Sequence, residues 1–425
     1  METYASPGDY LAALEARAAL PAGFRAGRTS CTFRPRERSV ENPYTMNLSL
    51  LLLDDPSPSF AGIFTRNAFP GHPVTIGRKR LSMPFTRGVL VNNKISNVCT
   101  QNGDKDAEAV LARLAEVAGG DHDDYFPAST GVIGWRLPVE EMLGAVANVT
   151  ASLKADSLVE FAKGIMTTDR FPKVRSTTVG EGRIVAAAKG AGMIEPNMAT
   201  MLAFVLTDLD IKRDELQEAL ARVGERTFNR ISIDSDQSTS DTLLAFSSRK
   251  RRGVSPRQFE EALAAVCAEL VEDIVRNGEG TTHVIRVSVS GAPNEGLALG
   301  LAKAIVNSPL VKTAVFGNDP NVGRLVMAIG DFLGSQRSDV VLSKIRIRVG
   351  DSVIFSEGTF RLDSTTEERL CAYLKAGQFD PKKPYPEHDR TVDIIVDLAA
   401  GNARAQVIGS DLSYDYVREN ADYRT

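Results

Sequence analysis

Residues 189–202 read KGAGMIEPNMATML, so that two glycines and a proline stand directly before an apolar run. This composition predicts a tight turn that leads into a buried strand starting near Leu202. From composition alone, Thr200 is best interpreted as an ordinary strand residue. The stretch is not a nucleotide-binding loop, because it lacks the GxGxxG spacing and its lysine precedes the glycines instead of following them.

Apolar and β-branched runs predict strands along the whole chain. They cover residues 48–53, 62–64, 202–206, 284–289, 340–349 and 392–396. The clearest helix is predicted for residues 255–275, where Ser255 is suited to cap the N-terminus and Gln258 to complete a capping box. Other helices are predicted at residues 106–118, 138–153 and 297–306. The elements do not alternate regularly, which predicts an α+β fold with antiparallel pairing at least as common as parallel pairing.

The length and charge of the chain limit its architecture and its partners. A chain of 425 residues exceeds the size that one hydrophobic core usually supports, which predicts two lobes or two domains. Its 50 basic and 54 acidic residues are well mixed and leave a net charge of −4, so no long-range field attracts nucleic acid. The basic run at residues 249–252 is interpreted as a solvated turn between two elements.

Nothing in the sequence indicates a membrane span or a secretory signal. The most apolar short run, residues 48–53, is far shorter than the ~20 residues needed to cross a bilayer. The first 20 residues carry Glu, Asp and Arg among their alanines and lack the apolar core of a signal peptide. We therefore expect no membrane association and a cytoplasmic location.

The cysteines and histidines are scattered without the spacing of a metal site. Cys31, Cys99, Cys267 and Cys371 form no CxxC pair, and no histidine lies at a ligand spacing from them. We expect neither zinc nor disulfides, and Cys267 is interpreted as a core residue of its predicted helix.

Seven segments, taken in order along the chain, carry a resemblance to one enzyme family. They are residues 129–134 (STGVIG), 166–169 (MTTD), 189–202, 278–280 (GEG), 307–314 (NSPLVKTA), 316–321 (FGNDPN) and 420–425 (NADYRT). Together they resemble the ornithine acetyltransferase family, also called glutamate N-acetyltransferases. The resemblance extends over about residues 60–425, and no single short motif would produce this order and spacing by chance.

This resemblance implies that the chain cuts itself between Ala199 and Thr200. Residues 1–199 would become an α chain, and residues 200–425 a β chain that begins with the nucleophile Thr200. The Thr200 hydroxyl could attack the Ala199 carbonyl if the turn strains that peptide, and water would then open the resulting ester. The freed α-amino group titrates near ~8, so it can accept the hydroxyl proton at cellular pH.

The resemblance also assigns roles to residues of the site. Thr130 and Gly131 would form the oxyanion hole, with the threonine hydroxyl and the glycine N–H directed at the carbonyl oxygen. The amino-acid substrate would be held by six residues: Thr167, Lys189, Thr200, Glu279, Asn420 and Thr425. The cation of this set, Lys189, suits the substrate carboxylate, and Glu279 suits the amino group. Without the resemblance, these positions are interpreted as turn residues, a surface lysine and a frayed C-terminal tail.

The reaction implied by the resemblance is a ping-pong transfer without a cofactor. The nucleophile would take the acetyl group from N2-acetylornithine and pass it to glutamate. The implied fold has stacked β-sheets flanked by helices, as in the N-terminal-nucleophile sandwich, with the nucleophile at the start of a central strand. The α and β chains would stay associated and pair into an α2β2 assembly. The use of acetyl-CoA as a second donor stays open.

Several positions depart from the family pattern. Residues 92–97 read NNKISN where the family has Asn-Ser-Gly-Asn-Ala-Asn, which predicts a different loop backbone. Val322 replaces the family's tryptophan, and Asn277 and His283 replace an aspartate and a lysine. The arginine-rich residues 28–44 either cover a more anionic ligand or form a solvated loop, which is the simpler interpretation.

Three other functions stay open. A paralogue could use the same threonine chemistry on another acyl donor or amino acid, in keeping with the departures where substrate would be touched. A catalytically silent homologue could only bind an amino acid, although the presence of Thr200, Thr130, Lys189 and Glu279 together argues against it. A self-cleaving hydrolase would pass the acyl group to water and need no acceptor amine.

Intact-mass measurement of the purified wild-type protein should give two fragments that meet between Ala199 and Thr200. A Thr200→Ala variant should give only the full-length chain, because the hydroxyl that starts the acyl shift is absent. Active wild-type material that contains only the full-length chain would refute the N-terminal-nucleophile mechanism.

Overall fold

A computed structural model describes residues 3–195, 201–383, 385 and 389–422 of the chain. These residues form two compact units, as the prediction of two lobes requires. The larger unit contains the described residues within 11–229 and 237–274, and the smaller unit contains those within 3–10, 230–236 and 275–422. Glu195 and Met201, which flank the predicted cut, both belong to the larger unit. The predicted cut would therefore fall within the sequence of the larger unit and would not separate the two units.

Helices and strands occupy most of the described residues. The helices are α1 (Pro7–Arg17), α2 (His72–Arg80), α3 (Gly103–Ala118), α4 (Val139–Ala151), α5 (Val159–Ile165), α6 (Arg213–Arg226), α7 (Pro256–Arg276), α8 (Glu295–Asn307), α9 (Pro309–Phe316), α10 (Val322–Ser335), α11 (Ser364–Gly377) and α12 (Tyr414–Asp422). The strands are β1 (Phe24–Phe33), β2 (Tyr44–Ser57), β3 (Phe60–Phe64), β4 (Thr86–Asn92), β5 (Tyr125–Ser129), β6 (Lys173–Val179), β7 (Gly182–Lys189), β8 (Leu202–Leu209), β9 (Ile231–Ser232), β10 (Thr242–Arg251), β11 (Val284–Ala292), β12 (Arg346–Val349), β13 (Ser352–Ser356), β14 (Thr359–Phe360), β15 (Thr391–Asp397) and β16 (Ala403–Ser410).

The strands form three sheets. The larger unit contains a four-stranded sheet in the order β1-β2-β4-β5 and a five-stranded sheet in the order β3-β10-β8-β7-β6. The smaller unit contains a seven-stranded sheet in the order β14-β13-β12-β15-β11-β16-β9. Parallel pairs, such as β4 with β5, β8 with β10 and β11 with β15, occur beside antiparallel pairs in each sheet. The predicted α+β fold with mixed pairing is confirmed.

The two sheets of the larger unit stack face to face. Phe126 of β5 contacts Phe60 of β3 and Phe246 of β10, with ring centroids 5.7 and 6.0 Å apart. Leu243, three residues before Phe246, lies on the opposite face of β10, where it is beside Gly224 of α6. Helices α3 and α4 pack on the outer face of the four-stranded sheet. The layers run helices, sheet, sheet, helices, which is the predicted stacked sandwich.

Strand β8, which the glycine-rich stretch precedes, is a central strand of the five-stranded sheet. All of its residues are buried, as its apolar composition predicts. It pairs antiparallel with β7 and parallel with β10. Lys189, the last residue of β7, is the register partner of Leu202, the first residue of β8. The strand that follows Thr200 in the sequence thus starts opposite Lys189.

Helix α7 begins with the predicted capping box. Gln258 N donates to Ser255 Oγ at 3.3 Å, and Ser255 N donates to Gln258 Oε1 at 3.2 Å. Cys267 of this helix is fully buried, and burial raises the pKa of its thiol to about 12. Its interpretation as a core residue is therefore confirmed.

The core of the smaller unit lies between its sheet and four helices. Apolar residues of α8, α9, α10 and α11 pack on β11, β12, β15 and β16. The N-termini of α8 and α9 are capped by Asn294 and Ser308, whose side chains accept from Leu297 N and Val311 N.

One predicted strand is too long. The strand predicted at residues 340–349 starts only at Arg346, and a 3-10 turn at Leu342–Lys344 precedes it. Val341 and Leu342 are 51% and 59% exposed, so pairing them in a sheet would bury no apolar face.

The basic run at residues 249–252 is not a turn. Strand β10 extends through Arg251, and the ion pairs Arg249–Asp210 and Lys250–Asp55 bind its exposed end. Arg249, Lys250 and Arg251 are all exposed at an irregularity in the pairing of β10 with β8, where Arg249 has a φ of 57°.

The arginine-rich segment 28–44 belongs to the hairpin of β1 and β2. Its connecting loop, residues 34–43, is largely exposed. Glu37 Oε1 accepts a hydrogen bond from Arg136 N at 3.0 Å and holds the loop on the larger unit. The exposure supports the interpretation as a solvated loop.

No single helix among the described residues has the length and apolar composition to cross a membrane. Helices α8 and α9 meet that test only as a pair, across a bend of 54°.

Phe126→Ala should lower the free energy of unfolding by about 3–5 kcal/mol, because it removes the ring that joins the two stacked sheets and leaves a cavity. Phe69→Ala is a matched control and should change this free energy by less than about 0.5 kcal/mol, since Phe69 is 67% exposed. Chemical denaturation of both variants measures the difference. Equal effects would contradict stacking through Phe126.

Candidate active site

Thr130 and Gly131 lie directly after β5, on a loop that Asn92 holds. Ser129, the last residue of β5, donates its hydroxyl to Asn92 Oδ1 at 2.6 Å, and Asn92 Nδ2 donates to Ile95 O at 2.8 Å. Thr130 N donates to Asn92 O at 3.1 Å. The last residue of β4 thus fixes Thr130 and the residue before it.

The backbone at position 131 requires glycine. Its φ of 126° lies in the region that side chains disfavour, and a Cβ there would be 2.1 Å from the carbonyl carbon of Lys94. Thr130 is only 5% exposed. Among the described residues, neither the Gly131 N–H nor the Thr130 hydroxyl has a hydrogen-bond partner. Two donors are therefore available for a carbonyl oxygen, as an oxyanion hole requires.

The neighbouring loop of residues 93–102 has an unusual backbone. Lys94, Asn97, Cys99 and Asn102 all have φ between 55° and 73°. Lys94, which stands where the family has a glycine, has a φ of 73°, in the region that glycine favours. Its carbonyl accepts from Val132 N at 2.9 Å, which holds the loop against the residues that follow Gly131.

Asn93 connects this loop to the segment that contains Thr167. Its side chain is buried, accepts from Asn47 N at 2.7 Å and donates to Met166 O at 2.8 Å. The residue before Thr167 is thereby tied to the start of the oxyanion-hole loop.

Asp169 holds Thr167 from the other side. Its Oδ2 accepts from Thr167 N at 3.0 Å, and its Oδ1 accepts from Gly190 N at 2.8 Å and from the Lys173 ammonium. The side chains of Asp169 and Lys173 are fully buried. Burial opposes ionisation of Asp169, but the charges of Lys173 and Lys189 outweigh it and hold the pKa of this carboxyl below its usual value.

Lys189 immediately precedes the Gly190 N–H that Asp169 binds. Both Lys189 and Thr167 are half-buried. Hydrogen bonds, together with the peptide bonds between neighbouring residues, therefore connect the segments of the larger unit that carry Thr130, Thr167 and Lys189.

Glu279 and Asn420 lie together in the smaller unit. Asn420 Nδ2 donates to Glu279 Oε2 at 2.9 Å and to Tyr416 O at 3.0 Å. Ser413 Oγ donates to Gly280 O at 2.6 Å, so the start of α12 is bound to the Glu279 turn. Asn420 and the start of α12 are thus both bound to the Glu279 turn.

Gly280 permits this docking. Its φ is 59°, and a Cβ there would lie 2.1 Å from Tyr416 N. The Tyr416 hydroxyl donates to Asp234 Oδ2 at 3.3 Å. Burial and the negative charges of Asp234 and Glu279 raise the pKa of Tyr416, which keeps the phenol protonated.

Buried polar groups fix the residues that follow Gly280. Asp411 Oδ1 accepts from Thr282 N at 2.9 Å, and Asp411 Oδ2 lies 2.9 Å from His283 Nδ1. His283, which replaces the family's lysine, is fully buried, and its Nε2 lies 3.2 Å from Asn318 Oδ1. The histidine at this position is thus part of a hydrogen-bonded network with Asp411 and Asn318 in the smaller unit.

Lys312 supports the same region with its ammonium group. It donates to Ile233 O at 2.8 Å and to Ser410 O, the residue before Asp411. Burial lowers the pKa of Lys312 to about 8, although the charges of Asp411 and Asp234 oppose the shift.

One group of potential metal ligands occurs among the described residues. It consists of Glu108, His122 and Asp123. Arg80 already pairs with both carboxylates, at 2.6 Å from Glu108 and in direct contact with Asp123. The guanidinium supplies the positive charge that a metal would bring, so this group is not a metal centre of the site.

Three predicted site residues, Ala199, Thr200 and Thr425, lie outside the described residues. Sequence reasoning missed the residues that hold the site: Asn92, Asn93, Asp169 and Asp411. The available signals were two asparagines at the end of an apolar strand and an aspartate inside the quoted segment 166–169.

A stacked α+β sandwich with two unused donors at a strand end is compatible with an acyltransferase. The chain belongs to the ArgJ family, whose model matches residues 36–425.

Relatives of the chain are similar over most of its length. It is 38% identical over 383 residues to the arginine biosynthesis bifunctional protein ArgJ of Rhodococcoides fascians, covering 89% of this chain and 90% of the relative. It is 39% identical over 388 residues to a glutamate N-acetyltransferase of Methanopyrus kandleri, covering 88% and 95%. The solved structure of ArgJ from Bacillus halodurans is 38% identical and has a TM-score of 0.45, covering 52% of this chain and 98% of that one.

Gly131→Ala should lower the free energy of unfolding by about 3 kcal/mol, because the methyl group meets the Lys94 backbone and the positive φ is disfavoured. Gly134→Ala is a matched control in the same loop. Its φ is 87°, but nothing lies within 4 Å of the added Cβ, so only the conformational strain of about 1–2 kcal/mol applies. Equal destabilisation in thermal or denaturant unfolding would argue against the close approach of Lys94.

Proposed function

We propose that this protein is an acetyltransferase that moves the acetyl group of N2-acetylornithine to glutamate through an acetyl-Thr200 intermediate. Membership in the ArgJ family supports the reaction class, and the relative from Methanopyrus kandleri is named a glutamate N-acetyltransferase. The observation that carries the proposal is the pair of unused donors at Thr130 and Gly131.

Self-cleavage is the first step of the proposed mechanism. The Thr200 hydroxyl attacks the Ala199 carbonyl, the C–N bond breaks, and Ala199 is carried as an ester on the Thr200 oxygen. Water hydrolyses this ester, which leaves the Ala199 carboxylate and a free Thr200 α-amine. The products are an α chain of residues 1–199 and a β chain of residues 200–425.

Acetyl transfer to the enzyme follows. The Thr200 α-amine accepts the hydroxyl proton while the oxygen attacks the acetyl carbonyl of the donor. The negative charge that develops on the carbonyl oxygen is stabilised by the Thr130 hydroxyl and the Gly131 N–H. When the tetrahedral intermediate collapses, the C–N bond breaks, ornithine leaves with the proton on its amine, and the acetyl ester of Thr200 remains.

The second half-reaction reverses these roles. The α-amine of glutamate attacks the acetyl ester, the same two donors stabilise the oxyanion, and the Thr200 oxygen leaves with a proton. Donor and acceptor share an α-carboxylate and an α-nitrogen. The Lys189 ammonium suits the α-carboxylate, and the Glu279 carboxylate would accept hydrogen bonds from substrate amino groups. Thr167, Asn420 and Thr425 complete the proposed substrate contacts.

We further propose that the two chains remain associated and pair into an α2β2 assembly in the cytoplasm. The pairing of β7 with β8 supports the association, because these strands belong to different chains after the cut.

Incubation with N2-acetylornithine should place an acetyl group on the fragment that begins with Thr200, and addition of glutamate should release acetylglutamate. Mass spectrometry detects both products. Thr130→Val removes only the hydroxyl and should slow adduct formation by ~10²–10³-fold, whereas Thr130→Ser should retain most of the rate.

Two outcomes would count against the proposal. Cleavage without an acetyl adduct would move the function to a paralogue with a different acyl donor. Release of acetate at the same rate with and without glutamate would identify a hydrolase.

A further inference from the structure

Asp169 receives more hydrogen bonds than its ion pair needs. A buried lysine can be neutralised through one carboxylate oxygen, and Lys173 uses only Oδ1. The carboxylate also binds two backbone N–H groups, of Thr167 through Oδ2 at 3.0 Å and of Gly190 through Oδ1 at 2.8 Å. The two groups belong to segments that are not adjacent in the chain.

Only an ionised carboxylate can make this arrangement. It offers two oxygens and about four lone-pair sites, whereas an asparagine side chain offers one oxygen and a donating NH2 group. In place of Asp169, that NH2 group would face either a backbone N–H or the Lys173 ammonium. The pKa of Asp169, held low by its cationic neighbours, keeps both oxygens unprotonated at neutral pH.

We propose that Asp169 is a positioning residue that fixes Thr167 and Lys189 relative to each other. Thr167 is bound through its own N–H, and Lys189 through the peptide that joins it to Gly190. Asn93 binds the carbonyl of Met166, so the segment is held on both sides of the Met166–Thr167 peptide. The proposal rests on the proposed function, in which Thr167 and Lys189 hold the substrate.

The test compares two variants that differ only at residue 169, which is an aspartate in one and an asparagine in the other. Lys173→Met removes the ammonium, while the nearby charge of Lys189 and the two N–H bonds continue to stabilise the carboxylate. The double variant Asp169→Asn with Lys173→Met leaves no buried charge to destabilise the fold, but it cannot accept both N–H groups. Rates are normalised to the amount of cleaved chain, so that an effect on self-cleavage is not counted as an effect on substrate binding.

Lys173→Met should have a KM for N2-acetylornithine within about 3-fold of the wild-type value. The double variant should show a KM at least 10-fold higher than Lys173→Met, with kcat changed by less than about 3-fold, because substrate-holding groups are displaced while the oxyanion donors stay in place. A purely structural role would lower the active fraction, and therefore the apparent kcat, without a change in KM. That result, or equal KM values in the two variants, would overturn the proposal.

Hydrogen exchange gives a readout that does not depend on the identity of the substrate. In the double variant, peptides covering residues 166–170 and 189–194 should both exchange at least 10-fold faster than in Lys173→Met. Faster exchange at only one segment, or at neither, would refute the positioning role even if the wild-type protein transfers no acetyl group. Absence of transfer by both the wild type and Lys173→Met, with the exchange result as expected, would instead refute the proposed function.

Discussion

The candidate site depends on the ionised carboxylate of Asp169. A buried charge is unfavourable unless a partner charge and hydrogen bonds replace the lost hydration. Lys173 supplies the charge, and the N–H groups of Thr167 and Gly190 occupy two further lone pairs. Since the carboxylate is stable only when these donors are in place, the end of β7 and the segment after α5 are constrained together. A less demanding contact, such as a single apolar side chain, would not fix two backbones at once.

The two units contain different parts of the predicted chemistry. The larger unit carries the donors at Thr130 and Gly131 and the cation Lys189, and the smaller unit carries Glu279 with Asn420. In each unit a buried aspartate accepts from a backbone N–H close to a predicted substrate residue. Asp169 accepts from Thr167 N in the larger unit, and Asp411 accepts from Thr282 N, three residues after Glu279, in the smaller one. A backbone held in this way keeps a defined geometry.

The sequence was sufficient to predict the strands with continuous apolar runs, the capping box of α7 and the family to which the chain belongs. It was not sufficient to find the residues that hold the site. The partners of Asn92 and Asn93 are 37 and 73 residues distant, in Ser129 and Met166, and no local pattern connects such pairs. The overlong strand before Arg346 has a similar cause, because β-propensity does not reveal whether a valine gains burial. Predictions from local periodicity thus succeeded where the burial of a segment is evident from its own apolar pattern. They failed where contacts form between residues far apart in the sequence.

The five-stranded sheet gives self-cleavage a thermodynamic consequence. In the order β3-β10-β8-β7-β6, the strands β3, β7 and β6 precede position 199, and β10 and β8 follow position 200. After a cut between these positions, neither polypeptide would contain all five strands of the sheet. Backbone hydrogen bonds would join the two polypeptides at two places, between β3 and β10 and between β7 and β8. Folding of the intact chain is unimolecular, whereas complete unfolding of the cut protein would release two molecules. Its midpoint would then depend on protein concentration, and dilution would become a denaturing condition.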